Sequence, residues 1–594
     1  MRRMDQRSGK VLLACLLACV LPLAAADSLT TTSSGSAPAK TTAAAQSGSE
    51  MEQLKQLLAD QQRQINELRE ALAQQKKTPD ANVAASASQP GEAAPPAKPE
   101  PASIFPNFGQ VASTTGVLPR AAAIAAIPAI PAIPARPQAA APPAAPRNPC
   151  EADPDKTIPT YLRIGNVCVI PVGFMDFTPF WRDKNAGSSM GSNFGSVPYN
   201  NTANGNLSEF HFSQQNSRLG FRVDGDWKGT HFIGYNEFDF NGTSGSTSLA
   251  VSNGAIVPRL RLFWADVRKG KLEFLAGQSW SMMTPNRNGV SALPGDLFFT
   301  QVVDINYVAG LTWSRQPGLR VLYHPNKKVT FAFGAEQPDQ YIGGSAGGSG
   351  ITLPSALAGL ASTQLDAAAN ISGASYLAQP GFTPDLMAKI AFDLPRFHFE
   401  VGGVESNFKT ASLSAPWTHH TTQGAGLLVG FNVAVLKNLR LISSNFFSDG
   451  EGRYLFGQAP DIIVRADGSL SAVHASSTLD GFETRINKNN LLLYAYYGGV
   501  YIGRNSAFDT NGSRIGYGYT GSPNSQNRSI QELTFGFNQT MWASPRYGAI
   551  NVMGQYEYLM RDPWFVAAGA PKATHDSTIY FNIRYTLPGG MPNF

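Results

Sequence analysis

The sequence predicts an all-β protein, a transmembrane antiparallel β-barrel of about sixteen strands with a coiled-coil helix ahead of it. Three observations carry that prediction. Segments through the C-terminal two thirds alternate apolar and polar residues at period two, so each strand presents one oily and one wet face. The connections between these segments alternate between short polar turns and long loops. No apolar run reaches the roughly 18 to 20 residues that a membrane helix needs, although a secretory signal opens the chain.

The chain has 594 residues, with Gly 57, Tyr 19 and Phe 34, a content that suits an aromatic-lined sheet. Residues 1–26 read as a signal peptide: Arg2, Arg3, Arg7 and Lys10, an apolar core from Val11 to Leu23, then Ala24-Ala25-Ala26, with cleavage before Asp27. Leu-Leu-Ala-Cys occurs at Cys15 and again at Cys19, so a lipoprotein cleavage box is the alternative. The formal charge of +5 falls to about +2 once the signal is removed, so net charge says little about partners; no nucleic-acid partner is expected.

Residues 27–50 are a flexible lead-in rich in Ser and Thr. From 51 to 77 the apolar residues fall in a heptad: Met51, Leu54, Leu58, Ile65, Leu68 and Leu72, with Gln61 in the remaining seam position. This predicts a self-associating coiled coil, with packing on its own barrel as the alternative. Residues 78–149 are a Pro- and Ala-rich linker in which Ile124, Ile127, Ile130 and Ile133 would line one edge of a polyproline helix. Cys150 and Cys168 are the two cysteines of the mature chain, and outside the cytoplasm a disulfide between them is the expectation.

The barrel is expected over residues 150–594. Its pattern is clearest at Arg218 to Asn241, where Leu219, Phe221 and Val223 alternate with Arg218, Arg222 and Asp224 before the turn Asp226-Trp227-Lys228-Gly229. On the return, Phe232, Gly234, Phe238 and Phe240 oppose His231, Glu237 and Asp239, with Ile233 and Tyr235 falling on the polar face and Asn236 on the oily one. Short turns fall near 227–229, 268–271, 324–328, 393–396, 436–438, 488–490 and 543–547. Long connections fall near 183–207, 241–257, 282–307, 338–383, 407–421, 448–478, 504–528 and 561–576, which gives sixteen strands and both termini on the periplasmic side. Trp181, Trp227, Trp280 and Trp542 lie at strand ends, the place for an interfacial girdle.

Parity then assigns side chains to the lumen. Leu219, Phe221, Leu260, Leu262, Leu319, Val321, Leu439 and Leu441 face lipid, so Arg218, Arg222, Arg259, Arg261, Arg320 and Arg440 face inward. Arg218, Arg259 and Arg261 lie about seven to ten residues from the nearest short turn, roughly mid-membrane. They form a candidate basic patch for anionic solutes, with Arg222 and Arg320 nearer the periplasmic mouth. The competing reading pairs these arginines with Asp224, Asp226, Glu237, Asp239 and Glu273 as wall-holding ion pairs. The third long loop carries SALPGDLFFTQVV, a candidate to fold inward as a constriction, with an ordinary exposed loop as the alternative; Phe298 and Phe299 argue against full exposure. No catalytic constellation, metal spacing or cofactor motif is present in the eight histidines or in the Gly-rich run from Gly343. An enzyme is not expected.

The segments NSRLGFRVDGDWKG, PRLRLFWADVRKGKLEFLAGQSWSMM and STIYFNIRYTLP resemble the DcaP-like trimeric outer-membrane porin family, as does the order of signal, coil and barrel. The resemblance implies a homotrimer of sixteen-stranded pores in outer-membrane lipid, a helical coil in the periplasm, and passage of small anionic solutes, dicarboxylates among them. The linker 78–149 is longer than that pattern expects, and the tail PGGMPNF separates Phe594 from the last strand. The leading expectation is passive diffusion of small hydrophilic solutes. Its alternative is a structural anchor that tethers the outer membrane towards the cell wall through coil and linker.

Overall fold

The computed structural model describes residues 161–588, apart from 243–256, 300, 345–349, 361–364, 366–375, 379–382, 413–414, 487–489 and 545–546. The signal, coil, linker, Cys150 and the C-terminal tail lie outside the described residues.

Sixteen antiparallel strands form the barrel. They are β1 (Val167–Arg182), β2 in two segments (Glu209–Ser213 and Arg218–Trp227), β3 (Thr230–Gly242), β4 (Val257–Lys269), β5 (Leu272–Trp280), β6 (Arg315–Asn326), β7 (Val329–Glu336) and β8 (Asp385–Leu394). There follow β9 (Phe397–Ser412), β10 (His419–Ala434), β11 (Leu439–Asp449), β12 (His474–Ile486), β13 (Leu491–Ile502), β14 (Asn527–Ser544), β15 (Gly548–Pro563) and β16 (Thr574–Thr586). Each strand pairs with its sequence neighbours, and β16 pairs back onto β1 through Phe174↔Thr586 and Phe180↔Tyr580. Closure leaves no sheet edge, so the strands satisfy their backbone groups without water.

Burial is inverted relative to a water-soluble sheet. Phe177, Phe221, Phe263, Phe333, Phe535 and Phe581 are exposed on the outside, while Arg218, Asp224, Glu237, Lys389, Glu400 and Arg584 are buried within. Exposed aromatics on every quarter of a wall and buried charges behind it suit only a barrel whose outside meets lipid. The return strand β3 keeps strict parity, with Ile233, Tyr235, Glu237 and Asp239 inward. Asn236, on the oily side, uses its side-chain oxygen to accept the Phe221 N–H at 2.6 Å.

Three expectations change. Leu262 is fully buried rather than lipid-facing, because Glu237 pairs with Leu262 and Phe238 with Leu260, leaving Arg261 as a bulge. The extra residue returns Arg261 and Leu262 to the same side and reverses parity beyond them. Trp181, Trp227 and Trp542 are exposed at strand ends, but Trp280 is only 2% exposed. It ends β5 where the chain leaves the sheet, and its ring follows the loop into the lumen. The connection between β9 and β10 is residues 413–418, since their ladder continues to Ala411↔His419. Polar pairs such as Asn407↔Gln423 and Lys409↔Thr421 extend the strands, so polarity there marks the end of the apolar band and not the end of the sheet.

Before β1, Leu162–Ile164 folds back on Val167–Val169 through a turn in which Gly165 has φ 59°. Cys168, in that hairpin, is buried and disulfide-bonded.

Candidate functional site

The site begins with the loop between β5 and β6, residues 281–314, which turns into the lumen as its Phe298 and Phe299 suggest; both are buried. Wall side chains accept its backbone N–H groups one after another. The Asn286 N–H meets the Glu400 carboxylate at 3.2 and 3.4 Å, that of Gly289 meets Asp393 at 3.1 Å, that of Val303 meets Gln555 Oε1 at 2.9 Å, and that of Ala309 meets Glu532 Oε2 at 2.7 Å. Arg287 grips Glu483 with two bonds of 2.8 Å. A loop without regular structure can be buried only if its polar backbone finds such partners.

Close packing reinforces these bonds. A Cβ on Gly498 of β13 would lie 1.9 Å from the Ala309 carbonyl oxygen, and one on Gly310 would lie 2.8 Å from the Thr478 and Gly499 carbonyls. Only glycine allows loop and wall backbones to touch there.

On the opposite wall, β2, β3 and β4 bring Arg218, Arg259 and Arg261 together around Glu237 and Asp239. Arg259 forms a two-pronged pair with Asp239 at 3.0 and 2.6 Å. Arg261 bonds Glu237 at 2.8 Å and Asp239 at 2.8 Å, and donates to the Tyr307 hydroxyl at 3.0 Å. Arg218 donates to the same hydroxyl at 3.3 Å but approaches Glu237 only to 3.8 Å. Burial pushes the Tyr307 hydroxyl up, yet Arg218, Arg261 and Arg315 outweigh it and hold the group below the usual phenol range.

The remaining sequence-assigned arginines stand apart. Arg222 is held by Asp224 at 2.6 and 2.7 Å. Arg320 is buried near Ser279 at 3.5 Å, with Glu336, Glu273 and Asp266 as the nearest acids. Arg440 bonds Asn432. Both readings of the arginines are thus visible in one wall, with Arg222 and Arg259 tightly paired and Arg218 much less so.

Arg315 is one of the site residues that sequence reasoning missed, along with Arg287 and the wall carboxylates that hold the loop. It heads β6 opposite Trp280, and its guanidinium lies 5.3 Å from the Trp280 ring and 5.0 Å from the Trp313 ring. Trp313 in turn stacks on Phe456 at 4.3 Å, and Tyr307 packs against both indoles. Arg315 lies within the stretch just past the loop boundary expected from sequence, where alternation gives no parity; the only signal was Trp313-Ser314-Arg315 adjoining a strand. Four arginines therefore gather around two acids, a local excess of positive charge on this side of the lumen. Among the described residues no group of three or more His, Cys, Asp or Glu is arranged to hold a metal.

No protein-family model matches the sequence, and no curated protein matches it. Among solved structures the chain is similar to the outer membrane channel DcaP of Acinetobacter baumannii, with 18% identity over 72% of this chain and 99% of that one and a TM-score of 0.50. It is more distantly similar to an anion-selective porin from Comamonas acidovorans (10% identity, 71% and 100% covered, TM-score 0.39) and to OmpT of Vibrio cholerae (9% identity, 72% and 99% covered, TM-score 0.36). The resemblance read from three sequence segments holds at the level of the barrel: this chain has the fold of the DcaP channel.

Proposed function

We propose that this protein is an outer-membrane channel for passive diffusion of small hydrophilic solutes, with a preference for anions such as dicarboxylates, and that it works as a homotrimer. The observation that carries this reading is the inverted barrel: an apolar outer wall around charged inner residues, with a loop fixed inside by wall carboxylates. A lumen lined this way replaces part of a solute's hydration shell with fixed charges, and the excess of arginine over acid at Arg218, Arg259, Arg261 and Arg315 favours anions over cations. Loose binding is needed as well as attraction, since a solute held too tightly blocks the path behind it. Such diffusion requires no catalytic group and no cofactor.

The test is electrical. Purified protein inserted in a planar bilayer should conduct, and the reversal potential under a salt gradient should show anions passing more readily than cations. A barrel that inserts without conducting would overturn the channel reading. The anchor reading rests on the coil and linker alone, which lie outside the described residues.

A further inference from the structure

We infer that the outer rim of the barrel at its short-turn end is a docking surface for anionic phospholipid, whose phosphates are held by lysine and arginine side chains of the turns. This goes beyond passage through the lumen and does not depend on conductance.

The observation is one of sign. Every short turn described in full offers an exposed cation: Lys228 between β2 and β3, Lys269 and Lys271 between β4 and β5, and Lys327 and Lys328 between β6 and β7. Arg396 between β8 and β9 and Lys437 between β10 and β11 continue the ring, and Arg163 joins it beside the start of β1. Against these eight stands one exposed acid among the described residues of the turns, Asp226, which lies 2.9 Å from His231. At the opposite end of the barrel exposed charges come in both signs, with Arg465 two residues from Asp467 and Arg528 bonded to Asp562 at 2.7 Å. Solubility alone is served by mixed charges of that kind, whereas a collar of one sign concentrates anions at its surface.

Lipid is the partner this collar fits because of its height on the wall. Trp227, Leu272 and Leu436 are exposed directly beside Lys228, Lys271 and Lys437. Exposed aromatic and apolar side chains at strand ends mark the boundary between hydrocarbon and head groups, so the neighbouring ammonium groups stand at the level of lipid phosphates. A lysine stem lies along such a surface while its charge reaches the interface, and the Lys228 ammonium lies 4.9 Å from the centre of the Trp227 ring. Turns of two to four residues do not project far past that boundary, which leaves a partner deeper in the aqueous phase, such as an anionic cell-wall polymer, little to grip.

The attachment points are also fixed. The His324 N–H donates to the Lys271 carbonyl at 2.8 Å, the Asp393 N–H to the Lys328 carbonyl at 2.7 Å and the Ala434 N–H to the Arg396 carbonyl at 2.8 Å, so each of these turns is tied to the next strand. The charge is densest on one arc, where His231 pairs with Arg268 and Leu272 with Tyr323, bringing the first three short turns side by side. Each basic group near an anionic bilayer surface adds to the attraction, and the sum is weakened by salt.

The experiment reconstitutes the full-length protein in phosphatidylcholine vesicles with a trace of spin-labelled phosphatidylglycerol or, separately, spin-labelled phosphatidylcholine. Electron spin resonance then measures the fraction of each label held at the protein. Wild type should prefer the anionic label about threefold, and about 0.5 M salt should remove most of that preference. Lys269→Gln, Lys271→Gln, Lys327→Gln and Lys328→Gln combined remove half of the eight cations and should bring the preference below about twofold. Arginine at the same four positions should keep it, and Arg528→Gln, at the other end of the barrel, should leave it unchanged. Heat-modifiable migration on gels identifies folded protein, and Lys228→Gln with Lys437→Gln repeats the test should the fourfold variant not fold. Equal association of both labels with wild type, or a preference unmoved in every folded glutamine variant, overturns the inference. Co-sedimentation with purified peptidoglycan sacculi is run beside it: retention of wild type and loss of the fourfold variant, without any lipid preference, would assign the collar to the cell wall and overturn the lipid reading.

Discussion

Gly498→Ala tests how the lumenal loop is held. The new Cβ would lie 1.9 Å from the Ala309 carbonyl oxygen and 3.0 Å from its carbon, both backbone atoms that no rotamer change can move. Ordinary contact begins near 3.4 Å, so the loop must retreat from β13 by about 1.5 Å, the difference of the two distances. A shift of that size away from the wall breaks the 2.7 Å bond from the Ala309 N–H to Glu532 and leaves a buried carboxylate oxygen without that donor. Overpacking of this kind costs about 1–3 kcal/mol, and losing the hydrogen bond about 1 kcal/mol more. The barrel, closed by sixteen ladders, should survive; the loop should detach on this side. Single-channel recording should then show a larger mean conductance and more open-channel noise than wild type. Gly499→Ala is the control, because its Cβ meets nothing nearer than the Tyr497 hydroxyl at 3.3 Å, the movable end of a side chain. Unchanged conductance and noise in folded Gly498→Ala would refute the idea that backbone contact with β13 fixes the loop.

Replacing Arg218, Arg259 and Arg261 together by Gln leaves Glu237 and Asp239 buried without their cations, so anion preference should turn towards cations and heat stability should fall by about 3–5 kcal/mol; an unchanged reversal potential would show that this cluster does not set selectivity. The partner of disulfide-bonded Cys168 is expected to be Cys150, pinning the linker to the base of β1, and mass spectrometry of unreduced digests decides it, with both residues alkylated as free thiols counting against it. The barrels, not the coil, should form the main trimer contact, so deletion of residues 27–149 should leave a heat-sensitive trimer on mild-detergent gels, and monomers would reverse that assignment. Burial lifts the Asp461 carboxyl, in the loop after β11, to about 7, and pushes Glu451 well up as well. A folded-state value above the unfolded one gives stability that is complete at low pH and is lost as pH rises through 7, so intrinsic-rate-corrected hydrogen exchange in residues 450–473 should be slower at pH 5 than at pH 8. Asp461→Asn should flatten that difference, and a loop better protected at pH 8 would contradict the sign.

The barrel was legible in the sequence because its causes are local. A strand in a wall between lipid and water repeats every two residues, and the turns that join such strands need particular residues at particular places, so Leu219, Phe221 and Val223 or Ile579, Phe581 and Ile583 declare their face without reference to anything distant. Strand number and the inward-facing positions of Arg218, Arg222 and Arg320 followed from that, whereas the inward turn of the loop carrying Phe298 and Phe299 did not. What only the tertiary structure decided depends on residues that meet across the lumen or break the period. The bulge at Arg261 changes parity by one residue through its pairing with β3, and no composition marks it. Trp280 and Arg315 sit where strand gives way to loop, and there the side chain follows its neighbours instead of the alternation. The seats of the loop on Glu400, Glu483 and Glu532 join positions more than a hundred residues apart, from Asn286 to Glu400, Arg287 to Glu483 and Ala309 to Glu532. Each of those carboxylates reads in sequence as one more polar residue on the wet face of a strand. Which backbone N–H it receives, and whether Arg218 or Arg259 keeps donors to spare, is settled only when the closed barrel brings its far walls to the same loop.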